Sequence, residues 1–316
     1  MLGLPASFLV MRRRRLGKQG PEISVVGFGA WEAGGTAWGP NESDATVIDA
    51  MQAGLDAGID WIDTAEVYGD GESERLVGKA VAGRRDEVTI ASKVAPSPEG
   101  SGFRPEQVEA ACDASLGRLE TDRLDLYQLH WRDETDVPVE DTWGAMSELQ
   151  DAGKVRAIGV SNFDRDLIER CLAIRHVDSL QQEFSMLDRQ HADLIRWCGE
   201  QGIGVVSYGP LAYGLLTGAI THETTFAPDD WRSRAQDDGP FADLEGSLAT
   251  VDALRPISDR LGCTLAQLAL AWNARQPGVT AAIAGSRNAD HVRANAGAGE
   301  VELDGATLEE LDRLLG

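Results

Sequence analysis

The chain has few lysines, and this shortage narrows what it can bind. Of its 316 residues, 29 are Lys or Arg and 52 are Asp or Glu, and only four of the basic residues are lysines. The formal net charge of −23 disfavours nonspecific binding to nucleic acid, because a polyanion would be repelled over most of the surface. Such a surface suits a halophile, whose acidic proteins stay hydrated in high salt, or simply an acidic protein encoded by a GC-rich genome. The sequence leaves both explanations open.

The chain also lacks paired cysteines. None of the four cysteines stands in a CxxC pair, and all lie in helix-like contexts: Cys112, Cys171, Cys198 and Cys263. This pattern indicates neither a zinc ribbon nor a disulfide framework. We therefore expect a protein of the reducing cytoplasm.

No apolar run is long enough to span a bilayer, so the sequence does not indicate a membrane protein. At the N-terminus the apolar stretch MLGLPASFLV precedes the charged MRRRR, which is the reverse of a secretory signal. We expect residues 1–11 to be a disordered extension. No linker divides the rest, and residues 12–316 are expected to form one domain.

Strand-like and helix-like segments alternate along the chain. Eight apolar runs predict strands near residues 24–29, 59–63, 88–93, 124–130, 154–160, 179–183, 203–207 and 279–284. Helical spacing of apolar residues predicts helices near 43–57, 72–82, 105–119, 138–152, 164–175 and 188–201. Near-continuous apolar strands with interleaved helices favour an α/β fold closed as a (β/α)8 TIM barrel over an open doubly wound sheet.

Further elements are predicted at both ends of this barrel. A short β-hairpin with its turn at Lys18–Pro21 is expected before the first strand. After the barrel, extra C-terminal helices are expected, one at 247–262 and one opened by a capping box of Thr307 and Glu310. The long irregular stretch 212–246 is of the length typical of a lid or binding loop.

Polar side chains close three successive strand-like runs. Asp63, Lys93 and His130 follow the second, third and fourth strands and stand 30 and 37 residues apart, the length of one strand–helix repeat. Tyr68 follows Asp63 in the loop WIDTAEVYG. Because the C-terminal strand ends of a barrel converge on one mouth, we expect these four side chains to share one site.

This set of side chains is suited to proton transfer at a carbonyl group. A phenol has an ordinary pKa of about 10, and a nearby ammonium is expected to lower the pKa of Tyr68 while Asp63 orients Lys93. His130 is expected to donate a hydrogen bond to a polarised carbonyl oxygen. No side chain supplies a hydride, so the reaction needs a cofactor.

Two other site types are disfavoured by what the sequence omits. GFGAWE at 27–32 lacks the third glycine of a dinucleotide fingerprint, which argues against a Rossmann phosphate loop. Asp229 and Asp230 are adjacent carboxylates without a third ligand, so we interpret them as a solvated loop and predict no metal site.

Several motifs resemble those of the aldo-keto reductase family, from Leu16 to the C-terminus. They are DTAxxYG at 63–69, the strand-end Lys93, SLxRLxTDxLDLYQLH at 115–130, GKVRAIGVSNF at 153–163, QxEF at 181–184, PLAYGLLTG at 210–218 and AGSRNADHVRANAGA at 284–298. The resemblance implies a TIM barrel that binds NADP(H) and reduces aldehydes or ketones, or oxidises alcohols in reverse. It implies that Tyr68 is the general acid and base, with Asp63, Lys93 and His130 as its partners.

The resemblance also implies cofactor contacts. Ser161, Asn162 and Gln181 would hold the nicotinamide carboxamide, and the ring of Tyr208 would stack on the nicotinamide. The remaining implied contacts are Trp31, Asp63, Gly209, Pro210, Leu211, Gly214, Leu216, Gly285, Ser286, Arg287, His291 and Asn295. Trp31 and Trp131 follow the first and fourth strands and are expected to line the substrate pocket together with Tyr68 and His130.

Two departures from the family pattern affect the cofactor prediction. Many relatives carry Lys where Gly285 stands and Arg where His291 stands, so the clamp on an adenosine 2′-phosphate would rest on Arg287. We expect a preference for NADP(H), with NAD(H) open as a second cofactor. A nonenzymatic NADP(H)-binding or redox-sensing regulatory subunit is the alternative function. The sequence specifies neither the substrate nor the oligomeric state.

Overall fold

The computed structural model describes residues 11–132, 136–235 and 237–316, and its centre is a closed barrel of parallel strands. The eight barrel strands are β3 Val26–Gly29, β4 Trp61–Asp63, β5 Thr89–Val94, β6 Leu124–Leu129, β7 Val155–Ser161, β8 Ser179–Glu183, β9 Gly204–Tyr208 and β10 Val279–Ala284. They follow one another in chain order, and β10 pairs with β3 to close the ring. The predicted (β/α)8 barrel is confirmed.

The predicted N-terminal hairpin is confirmed and closes one end of the barrel. Its strands, β1 Arg13–Arg15 and β2 Glu22–Ser24, pair antiparallel. The buried side chains of Leu16 and Ile23 pack with Trp61 in the apolar cluster inside the barrel. The hairpin thus lies opposite the mouth where the strands end.

Helices surround the barrel and connect its strands. They are α1 Asp44–Asp56, α2 Glu72–Ala80, α3 Pro105–Leu119, α4 Val139–Asp151, α5 Arg165–Leu172, α6 Ala192–Gln201, α7 Leu244–Leu261, α8 Leu265–Asn273, α9 Ala289–Ala296 and α10 Gly305–Leu315. Side-chain caps fix several starts; the Ser43 hydroxyl, for example, accepts from the backbone N–H of Thr46. Within the described parts of the chain, no helix has the length and apolar character needed to cross a membrane.

The C-terminal helices differ from the prediction in two ways. The capping box of Thr307 and Glu310 is wrong, because α10 begins at Gly305 and the carboxylate of Asp304 caps it by accepting from the Thr307 N–H. Helix α8 was not predicted. It begins just after Gly262, whose left-handed φ of 66° ends α7.

The N-terminal boundary also differs from the prediction. Residues 1–10 of the expected extension lie outside the described residues. Met11 is buried in the main apolar core, where a Cβ placed at Gly299 would meet its sulfur. The folded part of the chain therefore includes Met11.

Close packing leaves no room for a Cβ at Gly27, in β3, or at Gly285, directly after β10. A Cβ at Gly27 would lie 2.1 Å from the ring of Trp61, so the indole fills the space that a side chain would occupy. Across the strand pair between β10 and β3, a Cβ at Gly285 would lie only 2.3 Å from the carbonyl oxygen of Gly29. A side chain at Gly27 would therefore collide with a core side chain, and one at Gly285 would require the backbone of the neighbouring strand to shift.

Candidate active site

Lys93 is the centre of a polar group at the mouth of the barrel. Its Nζ donates to Asp63 Oδ1 at 2.6 Å, to the carbonyl oxygen of Thr64 at 2.8 Å and to the Tyr68 hydroxyl at 3.2 Å. These three acceptors match the three donors of an ammonium group. The Lys93 side chain is fully buried and Asp63 is nearly so. We call Asp63, Tyr68, Lys93 and His130 the catalytic corner.

The loop that carries Tyr68 is held from two sides. Glu66 Oε1 accepts from the backbone N–H groups of Ala95 and Ser101, which lie beyond the end of β5. On the other side, the hydroxyl of Ser73, in the first turn of α2, donates to the carbonyl oxygen of Ala30. These contacts fix the phenol beside Lys93 without any help from a ligand.

Burial decides the protonation state of Tyr68. The desolvated site raises the pKa of the phenol above its ordinary value of 10; Lys93 opposes this rise, and Asp63 adds to it. The prediction that Lys93 lowers the pKa of Tyr68 is therefore wrong in net direction, although its sign for Lys93 alone is correct. For Lys93, burial opposes the charged form, but Asp63 and Tyr68 outweigh it and raise the pKa of the ammonium. The site thus holds a protonated phenol beside a charged ammonium at neutral pH.

His130 is held by ring stacking. Its imidazole lies 3.9 Å from the indole of Trp131, centroid to centroid, with only 2° between the planes, and it meets the ring of Tyr68 edge-on at 5.6 Å. Its Nδ1 is buried and has no hydrogen-bond partner among the described residues. Burial first, and then Lys93, holds the pKa of His130 well below 6.5, so the ring is neutral at pH 7.

Amide side chains lie beside the catalytic corner. Gln181 donates through Nε2 to Asp63 Oδ2 at 2.8 Å. Asn162 follows β7 in a left-handed conformation, with φ of 60°, and donates through Nδ2 to the His130 carbonyl oxygen and to Ser161 Oγ. The Tyr208 hydroxyl donates to Asn162 Oδ1 at 2.8 Å. The side chains of Ser161, Asn162, Gln181 and Tyr208 therefore form one wall of the mouth.

The turn after β9 is more self-contained than the sequence suggests. The backbone N–H groups of Gly214 and Leu216, both implied cofactor contacts, donate to the carbonyl oxygen of Leu211. The side chain of Leu216 lies in the core. Gly209 and Gly214 have φ values of 64° and 106°, which glycine adopts freely. The two N–H groups are thus used within the turn, while the glycines keep its backbone unobstructed.

Tyr213, in the same turn, is held in an unfavourable backbone conformation. Its φ of 55° is left-handed, which costs energy for a residue with a Cβ. Its hydroxyl donates to Glu183 Oε1 at 2.6 Å, and its carbonyl oxygen accepts from Arg232 at 3.1 Å. Both side-chain contacts were missed by sequence reasoning.

The loops after β3 and β9 meet in an aromatic cluster next to Tyr68. The ring of Trp31 lies 5.3 Å from Trp38, 5.9 Å from Trp231 and 6.4 Å from Tyr68. The backbone N–H of Trp231 donates to the carbonyl oxygen of Ala37 at 2.8 Å. Trp31 thus lies beside Tyr68 as expected, and Trp131, stacked on His130, lies at the other side of the corner.

Charged residues join the same two loops. Arg232 pairs with Asp230 and stacks on Trp38, 4.6 Å from the ring centroid. Asp230 is buried, so the prediction of a solvated loop is wrong for this residue, because Arg232 compensates its charge. Arg287 donates to the carbonyl oxygens of residues 38–40 at 2.8–2.9 Å. We call Glu32, Trp38, Asp230, Arg232 and Arg287 the loop junction.

The remaining residues implied for the cofactor lie around the start of α9. Ser286 is close to His291, with 3.5 Å between Oγ and Nδ1, and both are partly exposed. Asn288 caps the helix by accepting from the N–H groups of Asp290 and His291. Asn295 lies within α9 and is buried. The first N–H groups of α9 are therefore already capped by a side chain.

Sequence reasoning missed Glu66 and Glu183 because neither position shows a local signal. Glu66 lies inside DTAEVYG and Glu183 inside QxEF, but a single Glu in a motif does not indicate its partner. Alternation along β8 could have placed Glu183 inward with Gln181, two residues before it. Its bond to Tyr213 spans 30 residues and depends on the fold of the whole turn.

Comparison with known proteins agrees with this geometry. The model of the aldo/keto reductase family matches residues 25–315 of the chain. The "Aldo-keto reductase YhdN" of Bacillus subtilis is 37% identical over 305 residues, covering 93% of this chain and 89% of that protein. The "NADH-specific methylglyoxal reductase" of Escherichia coli is 32% identical over 318 residues, covering 94% and 96%.

A solved structure gives the same result for the fold. The aldo/keto reductase from Klebsiella pneumoniae, crystallised with NADP and acetate, superposes with a TM-score of 0.74 at 32% identity. The match covers 96% of this chain and 96% of that one. The likeness therefore extends over the barrel and the surrounding loops.

Proposed function

The chain belongs to the aldo/keto reductase family, and we propose that it reduces aldehyde or ketone carbonyls to alcohols with NADPH or NADH, or catalyses the reverse reaction. The observation that carries this proposal is the triple hydrogen bonding of Lys93 to Asp63, Thr64 and Tyr68. A structural buried lysine needs acceptors for its three N–H groups, but none of them has to be a phenol at the mouth of the barrel, as it is here.

Tyr68 is the proposed proton donor. A bound nicotinamide supplies the hydride to the carbonyl carbon. The carbonyl oxygen gains negative charge as the hydride arrives, and the protonated Tyr68 hydroxyl donates its proton to that oxygen. Lys93, 3.2 Å from the phenol oxygen, stabilises the phenolate that remains, and Asp63 keeps the ammonium charged. Because burial raises the pKa of Tyr68, the phenol is protonated at neutral pH, as a proton donor must be.

His130 is the proposed hydrogen-bond donor to the carbonyl oxygen. Because its pKa is well below 6.5, the imidazole is neutral and donates through one N–H only. A neutral donor orients the carbonyl and stabilises its developing charge without competing with Tyr68 as the acid. The stacked Trp131 fixes the plane of the ring.

The wall of Ser161, Asn162, Gln181 and Tyr208 suits the binding of a nicotinamide ring. Its amide and hydroxyl groups offer donors and acceptors to a carboxamide, and the ring of Tyr208 offers a face for stacking. Use of NADPH is supported by the Klebsiella pneumoniae structure with NADP, and use of NADH by the Escherichia coli relative. We propose that the chain accepts both cofactors.

The proposed substrate is a small carbonyl compound that lies between Trp31 and Trp131. Trp31 is one of the few large apolar side chains with substantial exposure, at 37%. An exposed indole beside a catalytic phenol provides apolar contact area for a substrate. A metal-dependent hydrolase is disfavoured by the site's chemistry, since Asp63 and Lys93 use their charges on each other.

Oxidation of bound cofactor by a carbonyl compound tests the proposal. NADPH or NADH is mixed with the protein and a panel of aldehydes and ketones, and absorbance at the reduced nicotinamide band is followed by stopped flow. We expect one alcohol formed per cofactor oxidised. Absence of oxidation over the whole panel, with cofactor binding intact, would overturn the enzyme proposal.

The alternative of a nonenzymatic regulatory subunit finds no support in the relatives named above, which are described as reductases. The same experiment separates the two functions, because a regulatory subunit would bind the cofactor without turnover.

The matched variant is Tyr68→Phe, which keeps the ring and removes the proton. We expect it to bind cofactor like the wild type and to reduce carbonyls about 10²–10⁴ times more slowly.

A further inference from the structure

Arg287 lies between β10 and α9 and points toward the loop after β3. Its Nη1 donates to the carbonyl oxygens of Gly39 and Pro40, each at 2.9 Å, and to Asn41 Oδ1 at 3.4 Å. Its Nη2 donates to the carbonyl oxygen of Trp38 at 2.8 Å. The φ of 71° at Gly39 allows the tight turn that presents these acceptors. Four successive residues therefore direct their oxygens at one guanidinium.

Most of the donors of the guanidinium already bond the loop. Of its five N–H groups, the two on Nη1 serve three acceptors and one on Nη2 serves Trp38. The Nε atom faces Glu32, 4.0 Å from its carboxylate oxygen. Bidentate pairing with a phosphate needs two parallel N–H groups of the fork. The two N–H groups without a hydrogen bond, one on Nε and one on Nη2, form the side of the fork next to Glu32, so a phosphate there would compete with that carboxylate.

The surroundings of Arg287 also disfavour an additional anion. The carboxylate of Glu32 lies within ion-pairing reach, and Asp230 belongs to the same junction. Position 285 supplies no second cation, since it is a glycine whose Cα lies close to the backbone of Gly29, where a Cβ would be 2.3 Å from the carbonyl oxygen. A dianionic phosphate would therefore approach a guanidinium that already bonds the loop, and a neighbouring carboxylate would repel it.

The loop held by Arg287 contributes to the rest of the site. It carries Trp31 beside Tyr68 and Trp38 beside Trp231. Ala37 and Trp38 pair with Trp231 and Asp230 of the loop after β9. An anchor on this loop therefore affects the position of the tryptophans around the active site and not only the binding of one phosphate group.

We propose that Arg287 is a positioning residue that anchors loop 38–41, and that it is not the ligand of an adenosine 2′-phosphate. The protein therefore discriminates little between NADPH and NADH. This inference rests on the proposed use of a nicotinamide cofactor and concerns only what the junction contributes to it. It replaces the sequence-based expectation that Arg287 sets a preference for NADP(H).

Equilibrium binding of both cofactors tests the inference without any turnover. NADPH and NADH are titrated against the wild type, Arg287→Ala, Arg287→Lys and, as a matched control, Arg293→Ala. Arg293 is exposed on α9, and within the described part of the chain its ion pair is with Asp290, one turn earlier. Amide hydrogen exchange of residues 38–41 is followed in the same variants, because loss of the anchor should raise exchange there.

The wild type should bind the two cofactors with Kd values within about tenfold of each other. Arg287→Ala and Arg287→Lys should weaken both by about threefold to tenfold, with the NADH to NADPH ratio changed by less than about twofold, because neither provides the fork. Faster exchange in loop 38–41 should accompany this loss, and Arg293→Ala should match the wild type.

Selective loss of NADPH affinity in Arg287→Ala, with NADH affinity unchanged, would overturn the inference, as would unchanged affinity for both. Failure of the wild type to bind either cofactor would overturn the proposed function and the inference with it. Binding of both cofactors without turnover would contradict the reductase proposal alone.

Discussion

The catalytic corner and the loop junction are held by different kinds of contact. In the corner, Lys93 and Asp63 stand 30 residues apart on adjacent strands, are buried, and bond to each other at 2.6 Å. At the junction, Arg287 reaches the carbonyl oxygen of Trp38 from a position 249 residues away. Its side chain is 28% exposed. The corner depends on side-chain pairs at neighbouring strand ends, whereas the junction depends on long side chains that bind loop backbone.

This difference indicates a division of labour. Strand ends are rigid, so a phenol and an ammonium placed there keep the geometry that proton transfer requires. Loops have fewer backbone contacts and gain their positions from arginine and tryptophan side chains, so they adapt more easily to a ligand. We expect substitutions in the corner to change the chemical step and substitutions at the junction to change cofactor binding.

The largest effect is expected for Lys93→Met. It leaves Asp63 buried without its cation, so the free energy of unfolding should fall by about 3–5 kcal/mol, and turnover should be lost. Urea denaturation measures the free energy of unfolding, and steady-state rates measure turnover. The control is Lys154→Met, on the surface beside Asp113, which should cost about 1 kcal/mol or less. The double variant Lys93→Met/Asp63→Asn should recover stability but not activity; recovered activity would contradict the role of the ammonium.

The pH dependence of the two directions should differ strongly. Because burial raises the pKa of Tyr68 above 10, the phenol stays protonated through neutral pH, and the rate of reduction should be level until pH approaches 10. Alcohol oxidation needs the phenolate, so its rate should rise by about tenfold per pH unit over the same range. Single-turnover rates from pH 6 to 9 decide this. A reduction rate that falls with a pKa near 7 would remove Tyr68 from the acid role.

The sequence is informative about the corner for a physical reason. Asp63, Lys93 and His130 end apolar strands, and barrel topology alone brings successive strand ends to one mouth. Tyr68 is five residues from Asp63, too close to lie elsewhere. The contacts of Arg287 with the loop after β3 depend on how loops pack against each other. The hydrogen bond between Glu183 and Tyr213 does so as well. No local pattern specifies such contacts, since backbone carbonyls accept from any donor that reaches them.

Electrostatics shows the same limit on sequence reasoning. The sequence correctly suggests that Lys93 favours the phenolate of Tyr68, but the extent of burial decides the net direction of the pKa shift. Likewise, the sequence does not distinguish Asp230 from its neighbour Asp229. In the structure, only Asp230 is buried and bonded to Arg232. Burial is a property of the assembled fold and not of the motif.

A moderate effect is expected for Trp131, which holds His130 by stacking. Trp131→Leu removes the flat surface and should lower kcat by about tenfold, because Nδ1 of His130 has no hydrogen-bond partner among the described residues that would fix the ring. Trp131→Phe keeps an aromatic face and should retain most of the rate. Parallel kcat and KM measurements, with imidazole NMR signals of His130, check this. Equal losses in both variants would assign Trp131 to substrate contact instead.

The smallest effect is expected from salt. It distinguishes the acidic surface, where charges are screened, from the catalytic corner and the loop junction. If the acidic surface reflects adaptation to high salt, screening of the net charge of −23 should raise the free energy of unfolding between 0.1 and 3 M KCl. The single-turnover rate should stay constant, because the corner is buried. Absence of salt stabilisation would favour the simpler explanation of an acidic protein.

The division of labour is tested most directly by measuring cofactor Kd and single-turnover rate on the same samples of two variants. Tyr68→Phe should lower the rate constant of carbonyl reduction by at least about 10²-fold with an unchanged Kd. Asp230→Ala, with the exposed Asp229→Ala as control, should raise Kd by about threefold to tenfold and leave the rate at saturating cofactor within about twofold. A Tyr68→Phe rate equal to that of the wild type would contradict the account.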